Sequence, residues 1–286
     1  MNETILNFLI RNNFQGLNKI LFKVFKFFLK KKIVLNFLTY KFYAYPQKKE
    51  LSRWMIKNLK IWEKSSVELI INQIKNDNTI FIDIGSNYGA YSIPIAKLKN
   101  KINVYCFDPS EKALNQLKDN IKLNDIKNIK YFKVGVGEKN KTAFFNDEIN
   151  NYKNSGSYEI SNKYSGKKIL INSIDNLIEN GKIIPKKKII IKMDIEGYEF
   201  LALQGLIKTI KRYDVFIFFE FSIKILLNHD NLLISFTKFL KENNLKIFNS
   251  EFYEVKIEYL FDKIKYLSKG HEVLGNYIIS KNVNFD

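Results

Sequence analysis

Two segments of the chain each form a short apolar run that ends in an acidic residue and is followed closely by a glycine. The first reads TIFIDIGSNYGAY at Thr79–Tyr91, and the second reads IIIKMDIEGYEF at Ile189–Phe200. Continuous apolar, β-branched runs are typical of strands buried on both faces of a parallel sheet. Ligands of open α/β sheets bind beyond the carboxyl ends of the strands. The two acidic ends therefore predict one crevice that holds a functional site.

Predicted strands and helices alternate from Ile80 onward, which is typical of a doubly wound, mostly parallel sheet. The polar stretch Asp147–Lys168 interrupts this alternation, and we expect a long irregular loop or lid there. The predicted strands are Ile80–Asp83, Asn103–Phe107, Ile129–Val134, Ile189–Met193, Val215–Glu220, Lys246–Phe248 and Tyr277–Ile279. The predicted helices are Tyr88–Leu98, Glu111–Asn124, Ile174–Asn180, Tyr198–Lys211 and Leu232–Asn243.

The N-terminal residues 1–60 are predicted to form a basic helical extension, followed by one main domain over residues 61–286. Within Leu21–Lys32, apolar residues follow helical spacing and three lysines fall on the opposite side. Such a helix can lie on an anionic membrane, or it can dock on the main domain or on a partner subunit. Docking is favoured because most amphipathic helices are simply packed. A second helix is expected within Leu51–Ile74.

The formal net charge of +18 raises the question of nucleic-acid binding. Arginine is the residue best suited to bidentate contacts with bases and phosphates. It occurs here only at Arg11, Arg53 and Arg212, so lysine supplies 47 − 3 = 44 of the basic residues. This composition argues against specific nucleic-acid binding. The single cysteine, Cys106, excludes an intrachain disulfide. With no apolar run near the ~20 residues of a membrane span and no signal-peptide pattern, we expect a cytoplasmic protein, with peripheral contact at the inner face of the membrane as an option.

The segment Asp83–Gly89 carries the first chemical signal. Glycines at a strand-to-helix turn let the backbone approach a ligand closely, and the helix start offers free N–H groups. Asn87 stands where the dinucleotide pattern GxGxxG has its second glycine, which disfavours a pyrophosphate and hence a nicotinamide cofactor. Asp108 ends the next strand, at the place where an acid binds ribose hydroxyls in this architecture. The pattern favours a nucleoside-like ligand without phosphates.

These motifs resemble class I S-adenosylmethionine-dependent methyltransferases, with FIDIGSNYGAYS as the glycine-rich cofactor segment and CFDPS as the acidic second loop. The later KMDIEGYEFLALQG and the preceding INSIDNLIEN are similar to the FkbM family, and the ordered resemblance covers about Thr79–Lys281. It implies a Rossmann-like sheet of seven strands, S-adenosylmethionine as cofactor, and O-methylation of a sugar or of a glycoconjugate or natural-product precursor. Asp108 departs from the glutamate that the family often has there, so the ribose contact requires a different backbone placement.

Cofactor contacts are carried over from the family by position. Asp83 is expected near the ammonium or sulfonium group, and Asp108 at the ribose hydroxyls. Residues near Gly135–Glu138 are candidates for the adenine, although the glycine there can equally serve a turn. The full predicted cofactor set is Asp83, Gly85, Ser86, Asn87, Gly89, Asp108, Pro109 and Ser110.

Methyl transfer to a hydroxyl needs a positioned nucleophile and benefits from a base that removes its proton. Asp194, at the end of its strand, is the first candidate for base or substrate ligand, and Glu196 is the second. Lys192 lies on the same strand face as Asp194 and is expected to keep it ionised. The alternative is that Asp194, Glu196 and Glu199 are acids of a first helical turn, favoured there by the helix dipole. No metal ion is predicted.

Substrate contacts are expected from Tyr91, Glu220 and His229. His229 is an alternative base, although a histidine before a helix often serves as a cap. Two other functions stay open at this stage. One is an NAD(P)-dependent oxidoreductase, which the missing GxGxxG disfavours, and the other is a non-catalytic module that binds a membrane surface on a methyltransferase-like fold. The expected partner is a small-molecule or glycan acceptor, and the sequence does not predict the oligomeric state.

Overall fold

A computed structural model describes residues 32–45, 55, 63–146, 159–161, 166–222, 231–265 and 273–281. Its first elements are β1 (Ile33–Phe37), β2 (Tyr40–Ala44), α1 (Lys64–Gln73), β3 (Thr79–Ile84), α2 (Ser92–Leu98), β4 (Asn103–Phe107), α3 (Glu111–Leu123), β5 (Ile129–Phe132) and β6 (Gly135–Val136). There follow β7 (Lys141–Asn146), β8 (Glu159–Ser161), β9 (Lys167–Asn172), α4 (Ile174–Glu179), β10 (Lys188–Met193), α5 (Glu199–Gln204), α6 (Ile207–Arg212), β11 (Asp214–Ser222), α7 (Leu232–Glu242), β12 (Lys246–Phe248), α8 (Ile257–Lys265) and β13 (Val273–Ser280).

The main sheet has seven strands in the order β12-β13-β11-β10-β3-β4-β5. The pairs from β11 to β5 are parallel, whereas β13 runs antiparallel to both of its neighbours. The predicted fold class, a Rossmann-like doubly wound and mostly parallel sheet of seven strands, is confirmed. The chain leaves β3 toward β4 on one side and returns to β10 on the other. Such a reversal opens a crevice at the carboxyl ends of the strands.

Alternate residues of the central strands enter two apolar cores, one on each face of the sheet. Ile80, Ile82 and Ile84 of β3 lie in one core, and Phe81 of the same strand lies in the other. All six residues of β3 are buried, as are the last five of β10. Burial on both faces explains why these strands read as continuous apolar runs rather than as alternating patterns.

Two predicted helices differ from the observed ones at glycines. The helix expected from Tyr88 begins at Ser92, because Gly89 has a φ of +93° that a right-handed helix does not allow. The helix expected over Tyr198–Lys211 is two helices, α5 and α6, separated at Gly205. A Cβ added to Gly205 would lie 2.2 Å from the carbonyl oxygen of Gly137, so close packing keeps a glycine at this break.

Residues 33–44, assigned above to a helical extension, form a β-hairpin instead. Strands β1 and β2 pair antiparallel, and the hairpin turns at Leu38 with a positive φ of 57°. Leu35, Phe42 and Ala44 are fully buried in the same core as Phe81. The helical spacing on which the prediction was based lies at Leu21–Lys32, and residues 33–44 were included only as part of the same extension. The division into two domains at residue 60 stays a prediction.

A second, smaller sheet has the order β6-β9-β7-β8. Part of the stretch Asp147–Lys168, expected to be irregular, belongs to it: residues 159–161 are β8, and β9 begins at Lys167. Four buried residues form a separate small core on this sheet, namely Ala143, Phe145, Ile169 and Ile171. An irregular loop within the rest of this stretch, which lies outside the described residues, and its closure over an acceptor stay predictions.

Some predictions concern residues outside the described ranges. The amphipathic helix of Leu21–Lys32 lies outside them except for Lys32, so its contact with a membrane or partner stays a prediction. His229 also lies outside. Of the helix expected within Leu51–Ile74, the described part contains α1. No helix among the described residues combines the length and apolar character needed to cross a membrane.

Candidate functional site

The turn after β3 is anchored to the neighbouring strand β4 by its backbone. The N–H groups of Gly85 and Ser86 both donate to the carbonyl oxygen of Phe107, at 2.9 and 3.1 Å. Gly85 and Gly89 have φ values of +79° and +93°, and Asn87 between them has +47°. Asparagine is among the few residues with a side chain that adopt this left-handed conformation readily. The sequence GSNYG is therefore matched to the backbone path of this turn.

Asp108 closes the same turn from the end of β4. Its Oδ2 accepts the N–H of Asn87 at 2.9 Å, and its Oδ1 accepts the N–H of Ser110 at 2.8 Å. The Ser110 hydroxyl in turn accepts the N–H of Ala113 and caps α3. Burial raises the pKa of Asp108 to about 6, although both backbone hydrogen bonds oppose this rise. The carboxyl is thus ionised at neutral pH, with lone pairs left for further donors such as hydroxyl groups.

Asp83 and Lys192 form a buried ion pair between β3 and β10, where the two residues are direct register partners. The Lys192 Nζ lies 3.7 Å from Asp83 Oδ1 and donates to the Gly85 carbonyl oxygen at 3.0 Å. Asp83 also accepts a short hydrogen bond from the Ser92 hydroxyl. Burial raises the pKa of Asp83 against the opposing effect of Lys192 and Ser92. The structure therefore shows Asp83 as the counter-ion of Lys192, and its predicted contact with a cofactor stays a prediction.

Lys192 also holds Asp194, which follows β10. The Lys192 Nζ lies 3.4 Å from Asp194 Oδ2, and the Asp194 side chain is 40% exposed, whereas that of Lys192 is 6% exposed. Burial disfavours the lysine charge, but the carboxylates of Asp194 and Asp83 outweigh burial and raise the pKa of Lys192. The ring of Tyr91 lies 5.1 Å from the same Nζ. The buried ammonium group of Lys192 thus orients the partly exposed carboxylate of Asp194 at the entrance of the crevice.

The turns after β3 and β10 touch through their backbones. The N–H of Asp194 donates to the Ile84 carbonyl oxygen at 3.2 Å. A Cβ added to Gly85 would lie 2.0 Å from the carbonyl oxygen of Asp194, well inside any allowed contact. Gly85 is therefore required both for its positive φ and for the close approach of the second turn.

The turn after β10 is closed by Glu199. Its carboxylate accepts the N–H groups of Ile195 and Gly197, at 2.8 and 2.9 Å. Burial raises the pKa of Glu199 to about 7. Glu199 therefore stabilises the turn. It also lies in the first turn of α5, as in the alternative that treats these acids as residues of a first helical turn. Glu196 has a φ of +56°, a left-handed conformation that is uncommon for a residue with a side chain.

Glu220 and Tyr91 border the crevice near Asp194. Burial, followed by the negative charges of Asp194 and Glu196, raises the pKa of Glu220 to about 8, so its carboxyl is mostly protonated at pH 7. Tyr91 is buried and donates a short hydrogen bond to Glu63. Glu63 also lies within 3.5 Å of the Asn276 side chain amide, and Asn276 is the register partner of Glu220. These contacts place Tyr91, Glu63 and Asn276 at the same edge of the sheet.

Most predicted site residues therefore gather at the carboxyl ends of β3, β4, β10 and β11. Sequence reasoning missed Glu63 and Asn276, which border this edge, because they lie far from the motifs and in segments without a chemical pattern. It also missed the buried residues Asn120, on α3, and Asn124, which follows the last residue of this helix. Their signal was present, since both continue the apolar stripe of Ala113 and Leu117 at helical spacing. Within the described residues, no cluster of three or more metal-ligating side chains occurs.

Three features together define the class I methyltransferase fold. The sheet is doubly wound and has seven strands, its second strand from one edge, β13, is antiparallel, and the glycine turn after β3 is closed by the acid that follows β4. A model of the methyltransferase FkbM domain matches residues 83–244. The chain belongs to the FkbM family of class I S-adenosylmethionine-dependent methyltransferases. The family and the cofactor predicted from the sequence are thereby confirmed, and the nicotinamide alternative is set aside.

Several solved methyltransferase structures are similar to the chain at low identity. TYW2 of M. jannaschii in complex with AdoMet is 15% identical, with 88% of this chain and 85% of that chain covered and a TM-score of 0.42. Magnesium protoporphyrin IX methyltransferase of Synechocystis PCC 6803 with bound SAM is 12% identical, with 98% and 97% covered and a TM-score of 0.42. An rRNA methylase of Streptococcus thermophilus is 12% identical, with 77% and 95% covered and a TM-score of 0.41. No curated protein matches the sequence significantly.

The turn after β3 has unused polar groups that fit a polar cofactor. Within the described part of the chain, the buried oxygen atoms Ser86 Oγ and Asn87 Oδ1 have no hydrogen-bond partner. Buried polar atoms are rarely left unpaired unless a ligand or water completes them. Together with the carboxylate of Asp108, they offer acceptors for the ammonium and hydroxyl groups of S-adenosylmethionine. Ser86, Asn87 and Asp108 would thus hold the cofactor, whose individual contacts stay predictions.

Proposed function

We propose that the protein transfers a methyl group from S-adenosylmethionine to a hydroxyl oxygen of a sugar, or of a glycoconjugate or natural-product precursor. The observation that carries this proposal is the half-open carboxylate of Asp194, oriented by Lys192 beside the cofactor turn. When bound, S-adenosylmethionine supplies an electrophilic methyl group on a sulfonium. Transfer of that methyl group to the acceptor oxygen, with S-adenosylhomocysteine as the leaving group, would release the hydroxyl proton, and the Asp194 carboxylate would accept it.

Asp194 suits the role of base because it is exposed on one side and ion-paired on the other. Its exposure leaves an oxygen accessible to an acceptor hydroxyl, and Lys192 fixes the orientation of the carboxylate. A base within hydrogen-bond reach of the hydroxyl lowers the barrier to transfer. Glu196, in the same turn, is the second candidate for this role. Tyr91 and Glu220 supply further groups that can bind acceptor hydroxyls.

Glu220 adds a hydrogen-bond donor to a region rich in carboxylates. With a pKa of about 8, its carboxyl carries a proton at pH 7 and can donate to an acceptor oxygen. Acceptors with several hydroxyl groups can both donate to Asp194 and accept from Glu220. This complementarity supports a polyhydroxylated acceptor over an apolar one.

The test compares wild-type protein with Asp194→Asn. Sugars and glycosylated precursors are incubated with S-adenosylmethionine labelled in the methyl group, and the product is analysed for a base-stable methyl ether. We expect Asp194→Asn to lower kcat by about 10²- to 10⁴-fold because the proton acceptor is lost. Calorimetry should show an unchanged Kd for S-adenosylmethionine in this variant, and NADH should not bind to either protein.

Glu179→Gln, an exposed site on α4, is the matched control and should retain wild-type turnover. Full turnover in Asp194→Asn would remove Asp194 from the role of base. A base-labile methyl ester, or labelling of amines alone, would contradict transfer to a hydroxyl.

A further inference from the structure

The β1–β2 hairpin is attached to α3 by two asparagine side chains. Asn124 Oδ1 accepts the N–H of Lys41 at 2.7 Å, and its Nδ2 donates to the Lys41 carbonyl oxygen at 2.8 Å. Asn120 Oδ1 accepts the N–H of Tyr43 at 2.9 Å. Lys41 and Tyr43 are alternate residues of β2, so these groups point away from β1. The two amides therefore satisfy the free edge of β2 as a neighbouring strand would.

Asn120 differs from Asn124 in what its other end contacts. Its Nδ2 donates to the carbonyl oxygen of Tyr88 at 2.9 Å, inside the glycine turn that follows β3. Asn120 is 1% exposed, so water does not compete for this bond. The Nδ2 of Asn124 donates instead to the carbonyl oxygens of Lys41 and Asn120. Of the two asparagines, Asn120 is the one that these hydrogen bonds connect to the turn.

Packing repeats this connection between the hairpin and the turn. The rings of Phe42 on β2 and Tyr88 pack edge-to-face, with centroids 5.6 Å apart. The turn also lies tightly on α3, since a Cβ added to Gly89 would lie 2.6 Å from Leu117 Cδ1. Tyr88 is thus held by the hairpin on one side and by Asn120 on the other.

We propose that Asn120 is a positioning residue of the cofactor site, which couples the hairpin to Tyr88 and so fixes the Asn87–Gly89 part of the turn. Asn87 donates its N–H to Asp108, and Gly89 donates to Ser86, so a displaced Tyr88 disturbs both neighbours. The role is independent of the acceptor and of the base, because it acts on cofactor binding alone. The hairpin then contributes to the cofactor site without a predicted contact with the cofactor.

The test uses Asn120→Asp with Asn124→Asp as the matched control. Each variant keeps the oxygen that accepts from β2, loses the Nδ2 donor, and adds the same charge to the same helix. Asn120→Asp loses the bond to Tyr88, whereas Asn124→Asp loses only bonds outside the turn. By calorimetry we expect the Kd for S-adenosylmethionine to rise about tenfold in Asn120→Asp, the effect of one lost hydrogen bond, and less than about twofold in Asn124→Asp.

Hydrogen exchange in the cofactor-free protein gives a second readout. Peptides that span residues 85–93 should exchange faster in Asn120→Asp than in Asn124→Asp, because only Asn120 donates a hydrogen bond to the turn. An equal Kd in the two variants, or wild-type affinity in Asn120→Asp, would overturn the proposal.

If circular dichroism shows that Asn120→Asp does not fold, Phe42→Leu takes its place with the same two measurements. This variant removes the ring contact with Tyr88 and keeps an apolar side chain in the core. A raised Kd together with faster exchange over 85–93 supports the coupling. Wild-type affinity and exchange in that variant contradict it.

Discussion

The two sides of the crevice hold their carboxyl groups by different means. On the cofactor side, at the ends of β3 and β4, Asp108 is buried and bound by two backbone N–H groups. On the proposed acceptor side, at the ends of β10 and β11, Asp194 is partly exposed and bound by one side chain, Lys192. Backbone bonds fix a group whatever the neighbouring side chains are, whereas a side-chain contact changes with substitution. A cofactor site shared by a whole family suits the first arrangement, and a site for varied acceptors suits the second.

Lys192 contacts Asp83 on one side of the crevice and Asp194 on the other, so we expect its replacement to have the largest effect. Lys192→Met leaves Asp83 buried without a counter-ion, and we expect a loss of about 3–5 kcal/mol in the free energy of unfolding at pH 7.5. Burial already raises the pKa of Asp83, and losing the lysine raises it further, so the loss should be smaller at pH 5. Urea denaturation at both pH values measures this.

Lys133→Met is the control for this variant, since Lys133 forms an exposed ion pair with Glu111. It should unfold as wild type does. A wild-type urea midpoint for Lys192→Met at pH 7.5 would show that Asp83 does not depend on its lysine.

Asp108→Asn sharpens the account of the cofactor side. An asparagine has a single acceptor oxygen, so its amide would face the N–H of either Asn87 or Ser110. We expect a loss of about 1.5–3 kcal/mol in cofactor binding, which is about a 10- to 100-fold rise in Kd. Since the pKa of Asp108 is about 6, wild-type affinity should also fall below that pH, and the variant should lack this dependence.

Asp119→Asn, an exposed site on α3, provides the comparison for calorimetry. It should bind S-adenosylmethionine as wild type does at every pH. Wild-type affinity in Asp108→Asn would mean that the carboxylate charge contributes nothing to the site.

Glu220→Gln probes the proposed acceptor side through the pH dependence of stability. The pKa of Glu220 is about 8 in the folded protein, against an ordinary 4.5, so the folded state binds the proton more tightly. Wild-type stability must then fall as the pH rises from about 4.5 to about 8. Glutamine removes this loss, which is at most about 1.4 kcal/mol per pH unit for one proton and less for a side chain screened by water.

Urea denaturation at pH 5.5, 7 and 8.5 measures the slope. Glu220→Gln should gain stability relative to wild type as the pH rises, whereas Glu242→Gln, an exposed site on α7, should run parallel to wild type. Parallel curves for Glu220→Gln would place its pKa in the ordinary range.

The cofactor side was the more predictable from the sequence, because its signals are local. The strand Asn103–Phe107 was predicted to the residue, and Asp108 follows it directly. The turn of Gly85–Gly89 depends on residues within a few positions of each other. What was predicted wrongly is decided by distant packing: the hairpin of residues 33–44 forms against α3, and Gly205 interrupts a helix because Gly137 lies against it.

The acceptor side was predicted in position but not in detail. The strand ends and Asp194 follow from the apolar run that precedes them. The raised pKa of Glu220 depends on its burial and on carboxylates from two other segments, and the contact between Tyr91 and Glu63 joins residues 28 positions apart. Neither has a sequence pattern, since both arise only when the strands assemble.

The backbone contact between Gly85 and Asp194 sets a fixed distance between the two halves of the reaction. A side-chain contact can lengthen or shorten when either partner is replaced, but here one main chain rests directly on another. If Asp194 is the base as proposed, Glu196, Glu220 and the residues around them can be exchanged while the distance between the cofactor turn and Asp194 remains the same. Because Gly85 has no side chain, the two turns stay in direct backbone contact while the residues around them, and with them the acceptor specificity, can change.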